Sequence, residues 1–361
     1  MGIVNVGIIG LGEVAQTIHL PILAELPDLY RVTAICDISP TLLSVIGDRL
    51  QLPESGRHLD FRDVVARNDV DLVMILNSSE YHADTAVAAI NAGKHTFIEK
   101  PMCQTIAEAD AIVAARNNNG TQVVVGYMRR FAPAFVEAVR QIPTLGEIRY
   151  ARVRAIIGPN ATFIDQSNAL VVRPTDFPDS AIKDRQERAA RGVFEAIGEA
   201  SPELQTTYRL LGGLSSHDLS AMRELIGMPE RVLAATHWNG GRAFHAIFDY
   251  RTYQAAFETH IDSQARFDAN IEVFGPNKSL RIQYDTPYIR HLPTELHITE
   301  TVGTELTSSV IRPTLTDPYT TELLHLHAVV EGREPPKTTP EDSRQDLVLF
   351  KWIIDAIRET S

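Results

Sequence analysis

The chain has 361 residues, a formal net charge of −12 and an isoelectric point near 5.5. Its two cysteines, Cys36 and Cys103, are too few for a disulfide framework or a multi-cysteine zinc centre and fit a reducing compartment. An acidic surface with scattered basic residues repels nucleic acid and anionic membranes, and the length suits about two domains that need no covalent staples.

The first segment, MGIVNVGIIG, is apolar but carries no basic leader, so it reads as a first strand over Asn5 to Ile9 rather than a signal peptide. Val6 stands where a myristoylation motif needs Ser or Thr, and no apolar run reaches membrane-spanning length. A soluble, cytoplasmic protein with no membrane partner is expected. A helix follows from about Glu13 to Leu26, then a strand over Val32 to Cys36 closed by Asp37. Ser39-Pro40 is a cap followed by a proline at the first helical position, opening a helix through Leu42, Leu43, Val45, Ile46 and Leu50. A short helix near Asp60, a strand over Asp71 to Leu76, and a helix carrying Ala83, Ala86, Val87 and Ile90 up to Gly93 come next. A strand then ends in Glu99-Lys100-Pro101. Thr105 and Glu108 form a capping box for a helix that stops at Gly120, and Gln122 to Val125 is a last strand. Apolar strands alternating with helices predict a doubly wound parallel sheet, whose ligands bind at the carboxyl ends of the strands.

Beyond about residue 145 the strand-like runs are Ile148–Ile156, Arg231–His237, Ala243–Tyr250, Ala255–Ile261 and Asp268–Phe274. They predict an open, mainly antiparallel sheet. A helix is expected near Ala181 to Ile197 and another after Thr339. The fold class expected is therefore α/β, an N-terminal Rossmann domain over 1–127 and an α+β domain for substrate binding and oligomerisation over 128–361, with the C-terminal helix packing back on the first.

The turn Gly10-Leu11-Gly12-Glu13-Val14-Ala15 lies between a strand and a helix. Gly10 permits the tight turn, Gly12 lets backbone N–H groups approach a pyrophosphate at the helix start, and Ala15 is small enough for close packing. Asp37 would accept hydrogen bonds from the adenosine ribose and repel a 2′-phosphate, which favours NAD over NADP. A strand ending in Glu99-Lys100-Pro101 at the carboxyl edge is either a solvated loop or a reactive pair; a lysine there would donate to a reacting hydroxyl.

These pieces, with Asn77-Ser78-Ser79-Glu80-Tyr81-His82, Ala92-Gly93-Lys94-His95, Gly126-Tyr127-Met128-Arg129-Arg130-Phe131 and the later GLSSHDLSAMRELIG over 213–227, resemble the Gfo/Idh/MocA family of glucose–fructose oxidoreductase and inositol dehydrogenase. The Gly-Tyr-Met-Arg-Arg run is especially similar to inositol dehydrogenases. The resemblance implies that Lys100 lies between nicotinamide and substrate, that Glu99 lies near the nicotinamide ribose, and that the bond before Pro101 is cis. It places Asn77, Ser78, His82 and Arg129 in the cofactor region, and Arg129 on the substrate side as well; His82 is alternatively an ordinary helix-start residue and Arg129 a salt-bridging arginine.

The resemblance also makes His217 the catalytic base, and histidine titrates near neutrality as that role needs. Ser215 and Asp218 have capping-box spacing, which places His217 in the first turn of a helix and Asp218 as a charge at its start. The aspartate that family dehydrogenases carry four residues before the histidine is here Gly213; Tyr208, Asp165 or a water could serve instead. His325 and His327, two apart in a helical pattern, make a poor metal pair, and Trp238, Tyr250 and Tyr253 read as sheet packing on strands. No metal is expected. The expected function is an NAD-dependent dehydrogenase acting on a secondary hydroxyl of a sugar, inositol or related polyol, in a homodimer or homotetramer. The alternatives are a non-catalytic NAD-bound sugar sensor and an NAD-dependent glycosidase.

Overall fold

The computed structural model describes residues 2–167 and 170–360. The chain divides into two compact units: residues 1–126, 169–196 and 322–347 form one, and residues 127–168, 197–321 and 348–361 the other.

The first unit is built on six strands: β1 (Val4–Ile9), β2 (Tyr30–Cys36), β3 (Arg57–His58), β4 (Leu72–Ile75), β5 (His95–Glu99) and β6 (Val123–Gly126). All pair in parallel, in the order β3-β2-β1-β4-β5-β6. Val6, Ile8, Val73, Met74, Phe97, Ile98 and Val124 are fully buried, as expected for strands covered on both faces. Their helices start where the sequence supplies caps. Ser39 Oγ accepts from Leu42 N at 3.1 Å ahead of the helix Pro40–Arg49. Thr105 and Glu108 close a reciprocal capping box on the helix Ile106–Asn119.

The register sets the functional edge. Ile9 is level with Cys36 on one side and with Ile75 on the other, and Ile75 is level with Ile98. Gly10, Asp37 and Leu76-Asn77, which follow their strands, and Glu99-Lys100 at the end of β5 therefore lie at one carboxyl edge. The chain order reverses between β1 and β4, the switch point at which doubly wound sheets bind ligands.

The second unit holds an eight-stranded sheet of β7 (Tyr150–Ile157), β8 (Arg231–Trp238), β9 (Ala243–Asp249), β10 (Gln254–Ile261), β11 (Phe267–Phe274), β12 (Lys278–Tyr284), β13 (Glu295–Val302) and β14 (Glu305–Ile311). Its order is β14-β13-β12-β11-β7-β10-β9-β8, and only β7 and β10 pair in parallel. One face buries Ala151, Val153, Ala155, Phe257, Ile271, Val273 and Leu280. The other carries half-buried charges joined across strands: Arg154 Nε is 2.6 Å from Glu258, and Arg152 Nη2 is 2.6 Å from Glu272.

The helix expected near Ala181 to Ile197 runs Asp179–Ile197, with Asn160–Gln166 before it and Pro202–Leu210 after it, between β7 and β8. Two expectations need correction. Tyr250 and Tyr253 sit in the turn between β9 and β10 rather than on strands, their rings stacked at 4.8 Å. Ser215 is not a cap. It has helical dihedrals and no side-chain capping bond, because a π-helical stretch, Leu211–Ser215, joins Pro202–Leu210 to Ser216–Ile226 in one run. The Gly212-Gly213 pair that reads as a break is absorbed by the wider π turn.

Candidate functional site

In the first unit the turn after β1 packs directly on the loop after β4. Gly10 has φ +96°, and a Cβ there would fall on the Asn77 backbone. Gly12 faces open space, with nothing within 4 Å of where its Cβ would stand. Leu11 is fully buried. Its N–H donates to Asp37 Oδ2 at 2.8 Å, and Ser39 N–H donates to Asp37 Oδ1 at 2.9 Å. Burial raises the Asp37 pKa, and these backbone donors oppose the rise. Glu13 and Val14 begin the following helix, with Glu13 3.6 Å from Arg173.

Asn77 Oδ1 is a buried acceptor with no hydrogen-bond partner among the described residues. An open glycine cradle, a carboxylate fixed by the turn and an orphaned acceptor at the switch point are the features a dinucleotide's pyrophosphate, ribose and amide groups require. The residues present fit NAD.

Ser78 precedes a short 3₁₀ turn, Ser79–Tyr81. His82 opens the helix His82–Asn91 and is buried. Its Nδ1 is 2.8 Å from the Pro101 carbonyl oxygen and its Nε2 2.9 Å from that of Asn77. Burial lowers its pKa against the pull of those carbonyls. His82 therefore ties the loop after β4 to the loop after β5.

The Lys100–Pro101 bond is cis. Glu99 is 7 % exposed; its Oε1 lies 2.8 Å from His19 Nε2 and its Oε2 accepts from Lys100 N–H at 3.0 Å. Burial opposes ionisation, but His19 and Lys100 outweigh it and hold the carboxyl below its ordinary range. Sequence reasoning missed His19. The available signal was a lone histidine within the apolar run QTIHLPIL.

In the second unit, His217 lies in the helix Ser216–Ile226, beyond the π turn that holds Gly213. A Cβ on Gly213 would meet no atom within 4 Å. Tyr208 is on the preceding helix and Asp165 on Asn160–Gln166. Asp218 is not a charge at a helix start. It is fully buried and forms a salt bridge with Arg129, which is 2 % exposed. Burial pushes the Asp218 carboxyl up to about 6 against the pull of Arg129. The Arg129 guanidinium also lies 5.4 Å from the Phe267 ring centre and 5.2 Å from that of Tyr284. Arg129 and Asp218 are thus brought together inside this unit. His325 and His327 have separate partners, Glu334 for the first and the Gly2 carbonyl and Arg333 for the second.

Residues 4–127 match the oxidoreductase family with an NAD-binding Rossmann fold, GFO_IDH_MocA. The chain is 36 % identical over 143 residues to inositol 2-dehydrogenase of Salmonella paratyphi B, a match that covers 39 % of this chain and 42 % of that protein. The alignment thus spans less than half the length of that relative. An uncharacterised oxidoreductase of Bacillus subtilis, YrbE, is 29 % identical over 289 residues, covering 78 % of this chain and 74 % of the relative. The fold is that of aldose-aldose oxidoreductase from Caulobacter crescentus, with a TM-score of 0.74, 22 % identity and coverage of 100 % and 99 % of the two chains. Through residues 4–127 the chain is similar to the Gfo/Idh/MocA oxidoreductases, a family with an NAD-binding Rossmann fold. No helix among the described residues is long and apolar enough to cross a membrane.

Proposed function

We propose that the protein is an NAD-dependent dehydrogenase that oxidises a secondary hydroxyl of a sugar, inositol or related polyol. The observation that carries this reading is a dinucleotide turn after β1 and a lysine directly after β5, at one edge of the same parallel sheet. Its similarity to an inositol 2-dehydrogenase supports the substrate class. Bound NAD would supply the hydride acceptor. Asp37 holds the adenosine ribose and disfavours a 2′-phosphate. Gly10 to Val14 seat the pyrophosphate, and Asn77, Ser78, His82 and Glu99 shape the rest of the cofactor's surroundings. Lys100 donates to the hydroxyl being oxidised and stabilises its developing negative charge. His217 accepts the proton. Arg129 is assigned to the substrate side by the family resemblance, and its salt bridge with Asp218 fixes its guanidinium.

A polyol and sugar panel assayed for NADH absorbance tests the reading. His217→Ala and Lys100→Ala should each lower turnover about 10²–10⁴-fold with NADH affinity retained. Native protein that binds NADH yet reduces no NAD on the panel favours the second reading, a sugar sensor, for which the specific observation is glycine at position 213. Glycoside cleavage without net NADH would point to a glycosidase. The assembly proposed is a homodimer or homotetramer formed through the open face of the second sheet. Light scattering that finds only monomer at micromolar concentration counts against it.

A further inference from the structure

Residues 170–176 belong to the first unit and lie against its dinucleotide turn. Gln16, one turn into the helix after Gly12, clamps the backbone of Val172 from both sides: Nε2 donates to its carbonyl at 3.1 Å, and Oε1 accepts from its N–H at 2.8 Å. Arg49 Nη1 donates to the Leu170 carbonyl at 3.3 Å. The segment so held carries Asp176 to the start of the helix Pro40–Arg49. There Ser39 Oγ donates to Asp176 Oδ1 at 2.5 Å, and Thr41 N–H donates to Oδ2 at 2.9 Å.

The donors of that helix start are then all engaged. Pro40 has no N–H. Thr41 N–H goes to Asp176, Leu42 N–H to Ser39 Oγ at 3.1 Å, and Leu43 N–H to the Ser39 carbonyl at 3.1 Å. A helix start directly after the ribose-binding acid is a ready anion seat. It lies two residues beyond Asp37, where a phosphate on the adenosine 2′-oxygen would look for donors. Ser39 serves both carboxylates, its N–H donating to Asp37 and its hydroxyl to Asp176.

We propose that Asp176 is a second cofactor-selecting carboxylate, filling the anion seat of the helix Pro40–Arg49 and so barring a 2′-phosphorylated dinucleotide. This rests on the reading of the turn as a dinucleotide site and deepens it. Asp37 selects by receiving the 2′-hydroxyl; Asp176 selects by already occupying the place of the phosphate. The Ser39 and Thr41 donors hold the Asp176 carboxyl down to about 2, so it stays ionised at every working pH.

The experiment is direct titration of NADH and NADPH, followed by nucleotide fluorescence, into native protein, Asp37→Ala, Asp176→Ala and Asp176→Asn. Asp176→Asn keeps the shape and an acceptor for Ser39 while removing the charge. Removing one like charge at a solvent-screened contact should shift the ratio of NADPH to NADH affinity roughly tenfold toward NADPH. The shift should appear in both Asp176 variants and shrink at high salt. A ratio within twofold of native in both Asp176 variants, with Asp37→Ala still shifting it, overturns the inference and leaves the dinucleotide site standing. Native protein that binds neither nucleotide overturns both.

Discussion

The buried pair of Arg129 and Asp218 offers the sharpest test of how the second unit is held together. Asp218 is fully buried and Arg129 2 % exposed, and the guanidinium lies against Phe267 and Tyr284. Asp218→Ala would leave a permanent cation with no counter-charge, and breaking a buried pair on one side typically costs about 3–5 kcal/mol. For a unit of this size each kcal/mol moves the melting temperature about 2–4 °C, so a fall of roughly 6–20 °C is expected. The double replacement Arg129→Met with Asp218→Leu removes both charges and lets a flexible apolar chain pack between the two rings. Swaps of that kind are often neutral or stabilising. The double variant should therefore be more stable than Asp218→Ala. Thermal unfolding followed by near-UV circular dichroism reads this, with NADH titration as a control on the first unit. A single variant that melts within about 2 °C of native, or a double variant less stable than Asp218→Ala, refutes the account of Arg129 as half of a structural ion pair.

Other outcomes follow from single positions. Gly213→Ala should stabilise the π turn by roughly 0.5–1 kcal/mol, because a helical glycine costs backbone entropy and its Cβ has room; a lower urea midpoint than native contradicts this. Gly10→Ala should cost about 1–3 kcal/mol and lose NADH binding, since φ is +96° and the new methyl falls on Asn77; unchanged NADH affinity by titration refutes it. Glu322 is fully buried, with neither oxygen hydrogen-bonded among the described residues. Burial, then Glu99, pushes its pKa well above 4.5 against the pull of Lys337. A raised folded pKa means that its contribution is complete below 4.5 and is lost as pH rises above that. Glu322→Gln cannot ionise and should gain on native protein between pH 4.5 and 7, by at most about 3 kcal/mol. Urea midpoints whose difference stays constant with pH would sink the idea.

The first unit was legible because its signals are local. Strands such as Leu72–Ile75 and Val123–Gly126 are buried along their whole length and read as unbroken apolar runs. Ser39-Pro40 and Thr105 with Glu108 mark helix starts by capping chemistry that acts over three residues. The second unit lost signal where burial does not alternate. β14 is exposed at six of its seven positions, so its pairing with β13 leaves no apolar pattern to read. Gly212-Gly213 has the composition of a break. The chain passes through it as a π turn because the helices on either side are buried through Leu204, Tyr208, Leu219 and Met222, and tertiary packing overrides a weak propensity.

At the candidate site the residues proposed to face a ligand are readable in the sequence, and those that fix them are not. Gly10, Gly12, Asp37 and Lys100 announce themselves because a turn or a strand end demands their type at that spacing. His19, Gln16 and Asp176 act across 80, 156 and 137 residues of chain, and no periodicity carries such information. Asp218 shows how a correct local rule can mislead. An acid three residues after a serine is a capping box only if a helix begins there, and the helix runs through. Once Ser215 is helical, Asp218 is an interior residue of a buried segment. A carboxylate so placed must find a cation or give up its charge, and Arg129 is the cation the fold provides.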